Sequence, residues 1–335
     1  MALGFAINVN GRTVRIGCGI IKLLKPITTR RYGGAMSEFR IGISGWRYAP
    51  WRKNFYPEGL TQARELYFAS RAVNSIEING SFYALQTPER YQNWHDDTPD
   101  DFKFSVKAPR YVTHIRRLKD IEHPVANFFA SGVLHLKKKL GPILWQFPPS
   151  FKFDAELFEP FLALLPHTAK EATAAVQKYR DDFENPTTQS QRLRHCVEIR
   201  NKSFIEPEFF GLLSRYKVAF VFADSAGRFP YAEEITSDFI YMRLHGDTEL
   251  YKSGYTDEAL DRWFHRMKTW SRGNQTGDAH LVRSKQAQTA SEQRDIFCYF
   301  DNTDKLWAPY DARKILAKLD MLNKLPAEPG KLMAE

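Results

Sequence analysis

Between Phe39 and Leu322 a short run of β-branched or aromatic residues gives way, eight times, to a longer stretch. That alternation restricts the fold more than any other feature of the chain. Strands are predicted at Phe39–Ser44, Ser75–Asn79, Phe102–Lys107, Ile143–Phe147, His195–Arg200, Val218–Asp224, Phe239–His245 and Asp295–Asn302. Helical periodicity follows at Thr61–Ser70, Pro88–Asp96, Val125–Leu140, Ala155–Leu165, Ala169–Phe183, Glu206–Tyr216, Asp257–Trp270 and Ala308–Leu322, with only a weak helical segment behind strand six. Eight such units are what a single (β/α)8 barrel of the α/β class requires. A doubly wound open sheet needs fewer strands and a Gly-rich phosphate loop, which this chain lacks. The polar stretches Asn185–Gln191 and Ser271–Arg294 lead into strands, so a barrel places them at its N-terminal end, away from chemistry.

The net charge of +9 suggests a polyanion partner until its distribution is considered. Residues 1–36 carry Arg12, Arg15, Lys22, Lys25, Arg30 and Arg31 with no acid, and without them the remainder has +3. A basic, acid-free stretch fits a transit peptide, a poor signal peptide or an extension in front of the true start. Met36, directly before the first strand, favours the extension. The expected organisation is therefore an extension over 1–36 outside the fold, a barrel over 37–322, and a tail over 323–335. Cys18, Cys196 and Cys298 have neither metal-binding nor redox spacing, and no apolar run is long enough to span a bilayer. A cytoplasmic protein with no membrane association is expected.

Strand residues point alternately to opposite faces. Ile76 and Ile78 oppose Glu77 and Asn79, Val197 and Ile199 oppose Glu198 and Arg200, and Met242 and Leu244 oppose Arg243 and His245. Helices cover the outside of a barrel, so the polar faces belong to the lumen. This predicts convergence of Glu77, Asn79, Lys107, Gln146, Glu198, Arg200, Asp224, Arg243, His245 and Asn302 at the C-terminal mouth. A salt-bridge network that merely holds the barrel together would pair three acids with three bases. It would not explain why they gather at the end where barrel active sites lie.

Those same segments, GISGWRYAPW…FYP, EINGSFY, FSVKAP…TH, ILWQFPPSF, VEIR and YMRLHG, resemble the YecE-like family, domain of unknown function 72. The resemblance runs from about Phe39 to Leu316 and implies a variant TIM-like barrel. It implies no activity. The family pattern has asparagines where this chain carries Asp301 and Asp311, which adds negative charge at the rim.

Function follows from the converging groups. Glu77, Glu198, Asp224 and His245 are the candidate catalytic acids and bases, with His245 between Arg243 and Gly246 suited to proton transfer. Trp46, Asn79, Lys107, His114, Gln146, Arg200, Arg243 and Asn302 are the candidate ligand-binding residues, the two arginines suiting phosphate or carboxylate. Trp46, Tyr48, Trp51, Phe82, Tyr83 and Tyr255 in the top loops fit a stacking platform or a small second core equally well. A divalent metal on the acids and His245 is chemically open but disfavoured by the three neighbouring cations, and the cofactor is left undetermined. The expectation is an enzyme, hydrolase or isomerase in type, acting on a small anionic, sugar-like or phosphorylated substrate. The alternative is a non-catalytic nucleic-acid-binding or scaffold protein using the basic and aromatic rim.

Overall fold

Ile41 and Ile43, both fully buried, fix one face of the first strand, β1 (Phe39–Ser44). The chain, a computed structural model, is described over residues 37–291, 293–302 and 306–333. Residues 1–36, where an extension is expected, lie outside the described residues. After β1 come α1 (Glu65–Ala72), β2 (Ser75–Ile78), a four-residue turn of helix α2 (Gly80–Tyr83) and α3 (Pro88–Asp97). Next are β3 (Lys103–Lys107), α4 (Glu122–Ala130), β4 (Leu140–Gln146), α5 (Ala155–Leu164) and α6 (Ala169–Gln177). Then follow β5 (His195–Glu198), α7 (Pro207–Arg215), β6 (Ala219–Asp224), β7 (Phe239–Leu244), α8 (Asp257–Ser271), β8 (Asp295–Phe300) and α9 (Trp307–Lys318). The eight strands pair in parallel in sequence order, and β8 closes on β1. A (β/α)8 barrel is therefore the fold.

Side-chain alternation sorts the buried apolar residues into two groups. Ile76, Val106, Trp145, Val197, Phe222, Met242 and Phe300 belong to the large core beneath the helices. Leu144, Cys196, Val221, Ala223, Tyr241, Phe297 and Tyr299 form a separate cluster, the packed interior of the barrel. Gly42 lies where β1 meets β2 most closely: a Cβ there would stand 1.7 Å from the Ser75 carbonyl oxygen. Local signals set the helix starts. Thr87, Asp154, Thr168 and Thr256 each accept a hydrogen bond from a backbone N–H of the helix that follows, as N-caps do.

The structure departs from the predicted elements in three ways. The helix expected over Val125–Leu140 ends at Ala130, because Gly132 turns left-handed (φ 109°) and packs too close to Pro88 for any side chain. A 3-10 segment, Val133–Lys139, carries the chain on, and β4 begins three residues earlier than expected. The polar ends of strands two, five, seven and eight lie just past the ladder, as loop residues. Third, no helix is found between β6 and β7 among the described residues. Buried carboxylates tie this stretch down instead. Glu233 accepts from Arg266 at 2.8 Å, and Glu234 accepts from the backbone of Val282 and Arg283 and from the Arg283 guanidinium. The polar stretch before β8 is thus anchored by charge rather than by apolar side chains. Beyond α9, the amide of the buried Ala327 donates to the Arg71 carbonyl. No helix among the described residues is long and apolar enough to cross a membrane.

Candidate active site

Arg243, at the inward-facing end of β7, is 1% exposed and organises the upper lumen. Its Nε donates to Glu77 Oε2 (3.1 Å), and its Nη1 donates to Glu198 Oε2 (2.7 Å). Nη2 donates to Glu77 Oε1 (2.9 Å), Asp301 Oδ2 (2.9 Å) and Ser44 Oγ (3.2 Å). Glu77 also accepts from the Tyr241 hydroxyl and the Ser44 hydroxyl, each at 2.6 Å. Three strands thus deliver carboxylates to one guanidinium, whose charge occupies the place a cation would take among them. Among the described residues no His, Cys, Asp and Glu group is arranged to hold a metal ion.

Above this floor the chemistry changes. Arg200 donates through Nε to Glu198 Oε1 (2.9 Å) and through Nη2 to the Tyr251 hydroxyl (3.2 Å). Lys107 ends β3 with its ammonium 4.1 Å from the centre of the Phe82 ring, and no carboxylate among the described residues lies within 4 Å of it. His114, in a π-helical turn over Tyr111–Ile115, packs edge-on against the same ring. Single π-turns of this kind often mark functional positions. His245, just past β7, pairs through Nδ1 with Asp301 Oδ2 at 3.0 Å, and its buried Nε2 has no partner among the described residues. Gln146 is buried in register with Glu198, and Asn79 donates to Ser44 Oγ at 2.7 Å.

The electrostatics follow from burial and these contacts. Burial pushes the Glu198 carboxyl up, but the guanidiniums of Arg243 and Arg200 more than reverse this and hold it far below the usual carboxylate range. Asp301 likewise resists burial under the pull of Arg243 and His245 and falls to about 2. Lys107 moves the other way: burial and the nearby Arg243 lower its ammonium to about 8. Burial and Lys107 lower His114 to about 4, so its ring is neutral at physiological pH.

Two predicted residues are turned elsewhere. On β6 it is Ala223 that joins the interior cluster, while Asp224 accepts from the Tyr255 hydroxyl outside the lumen. It borders a separate cavity of about 480 Å³ against α8, with burial raising its carboxyl. On β8, Asn302 donates to Asp311 and to the Ser253 carbonyl, and Asp301 faces the site in its place. Strict alternation from Val221 and from Tyr299 would have found both; choosing the more polar neighbour hid them. Ser44 and Tyr251 were also missed, lacking a charge to draw attention.

Trp46 packs edge-on to Trp94 and lines a cavity of about 590 Å³ beside the mouth, together with Asn79, Arg90 and Asp97. Trp51, Phe55 and Tyr56 are buried against Phe68 and belong to the large core beneath the helices rather than to a separate small one. Tyr83, by contrast, is 72% exposed. A further cavity, of about 730 Å³, lies at the opposite end, lined by Lys103, Arg192, Arg194 and Asp295 from strand starts or just before them. Chemistry in this architecture gathers at strand C-termini, and so does the cluster of perturbed groups.

The family model described as "Protein of unknown function DUF72" matches residues 40–332. UPF0759 protein YecE of Escherichia coli K12 is 30% identical over 111 residues, 33% of this chain and 38% of that protein. UPF0759 protein YunF of Bacillus subtilis is 31% identical over 122 residues, 35% of this chain and 42% of that protein. The aligned region thus spans about two-fifths of these curated relatives. The crystal structure of a DUF72 family protein from Thermotoga maritima superposes with a TM-score of 0.62 at 23% identity, covering 84% of this chain and 99% of that one. Another from Enterococcus faecalis gives 0.57 at 17%, covering 85% and 98%. At these identities the two structures speak to the fold alone.

Proposed function

The chain belongs to the DUF72 family, and from that premise we propose that its barrel mouth is the active site of an enzyme acting on a small anionic, sugar-like or phosphorylated substrate. One observation supports this above the rest: the carboxylates below are consumed by Arg243, while Lys107 and Arg200 above them retain donors for a ligand. Arg200 has five N–H donors in a planar fork, suited to phosphate or carboxylate, and the protein engages only some of them.

The proton-handling group is the His245–Asp301 pair. With Nδ1 donating to Asp301, Nε2 accepts a proton when the ring is neutral and donates when it is protonated. Glu198 is less suited to that role, because a carboxylate held so far down is a weak base. Its part is to hold Arg200 and Arg243 in place. Positioned acid–base groups supply ~10²–10⁴-fold in rate.

The test is a thermal-shift screen with sugar phosphates, nucleotides and short oligonucleotides at low and high salt. A sugar phosphate that raises the melting temperature at both salt levels is the expected result. Stabilisation by oligonucleotides alone, collapsing with salt, would favour nucleic-acid binding instead. A flat response throughout would leave the cluster a structural network.

A further inference from the structure

Lys107 is a poor choice for a purely structural cation. Its side chain is 8% exposed, its ammonium rests on an aromatic face, and the described residues offer no carboxylate within ion-pair distance. Burial disfavours its charge, and Arg243 and Arg200 repel it, while Glu198 and Glu77, beyond ion-pair distance, only partly offset this. A desolvated lysine beside other cations is the setting in which an amine becomes a nucleophile. Arginine at this position would bind an anion equally well, so anion binding alone does not call for lysine.

We propose that Lys107 is a covalent catalytic residue that forms an imine with an aldehyde or ketone group of the substrate. This rests on the reading of the mouth as an active site and names the reacting class within it: an open-chain carbonyl compound carrying an anionic group. The Nζ lone pair attacks the carbonyl carbon, forming the C–N bond as the π pair moves to oxygen. His245 takes one proton from the nitrogen and returns it to that oxygen. A second proton, from solvent, lets the hydroxyl leave as water while the nitrogen lone pair closes the C=N bond. Arg200 holds the anionic group. The lowering of Lys107 to about 8 leaves roughly 300 times as much neutral amine at pH 7 as on an ordinary lysine.

Competitive reductive amination tests this, with glyoxylate and cyanoborohydride at pH 7 and peptide mass spectrometry as the readout. Each adduct adds the mass of glyoxylate less water plus two hydrogens. Lys107 is expected to be modified at least about tenfold faster than the exposed Lys53 and Lys152. Glyceraldehyde 3-phosphate should give a borohydride-trapped adduct at the same residue, absent from a folded Lys107→Arg variant. Labelling of Lys107 no faster than that of Lys53 and Lys152 overturns the inference, even if sugar phosphates still bind. Fast labelling without any sugar-phosphate binding would instead defeat the active-site reading and leave only a reactive lysine.

Discussion

All three guanidinium nitrogens of Arg243 donate inside the lumen, to Glu77, Glu198 and Asp301 and to Ser44. Its burial is expensive, and three carboxylates reverse that cost. The sequence placed Arg243 among the residues that bind the anion. The contacts instead make it the hub of the site, and its loss would leave the buried Glu77 and Glu198 and the half-buried Asp301 facing one another. Arg243→Met is expected to lower stability by about 3–5 kcal/mol in urea unfolding; an unchanged midpoint would remove Arg243 from that role. Lys107 is expected to behave in the opposite sense. The unfolded chain protonates it near its ordinary 10.5, the folded chain only below about 8. The penalty for charging it is therefore fully present below pH 8 and fades between 8 and 10.5 as the folded and unfolded forms both lose the proton. Lys107→Met should stabilise the protein by up to about 3 kcal/mol at pH 7. The gain should shrink on raising the pH toward 10. A destabilised variant at pH 7 would mean that Lys107 is a structural cation after all.

Between β6 and β7 the barrel dispenses with a packed helix and uses buried charge instead. Glu234, fully buried, accepts from two backbone N–H groups, from Arg283 and from Gln288, and so fixes the polar segment that precedes β8. Glu234→Ala would strand those donors together with the Arg283 guanidinium. A loss of about 3–5 kcal/mol is expected, with faster amide exchange concentrated at Val282 and Arg283; protection equal to wild type would show that the segment is held by other means. This device was not legible in the sequence, because Ser271–Arg294 has almost no large apolar residue to give a period. The strands were legible, since Ile, Val and Phe alternating with polar residues set both their existence and their facing. Their ends were not. Asn79 and Arg200 sit past the last paired residues of their strands, and His245 is held to β6 there by its amide, which donates to the Asp224 carbonyl. Asp224, the last paired residue of β6, and Asn302, past the end of β8, were misplaced because polarity was allowed to outweigh parity.

At the scale of the molecule, the parallel barrel brings residues from β1, β2, β3, β5, β7 and β8 within reach of one lumen. Among the described residues every strand lies between Phe39 and Phe300, so a chain started at Met36 is expected to melt at the temperature of the full chain. A fall of several degrees would show that residues 1–36 contribute to the fold. The central claim is that the mouth binds a small anionic ligand through cations the lumen leaves available. Calorimetric titration of glyceraldehyde 3-phosphate into wild type and Arg200→Met tests it most directly. The account predicts saturable one-site binding in wild type, weakened about tenfold or more in a variant that remains folded, since a hydrogen bond to a charged group contributes about 1.5–3 kcal/mol. Equal affinity in the two proteins, or no binding in either, would contradict it.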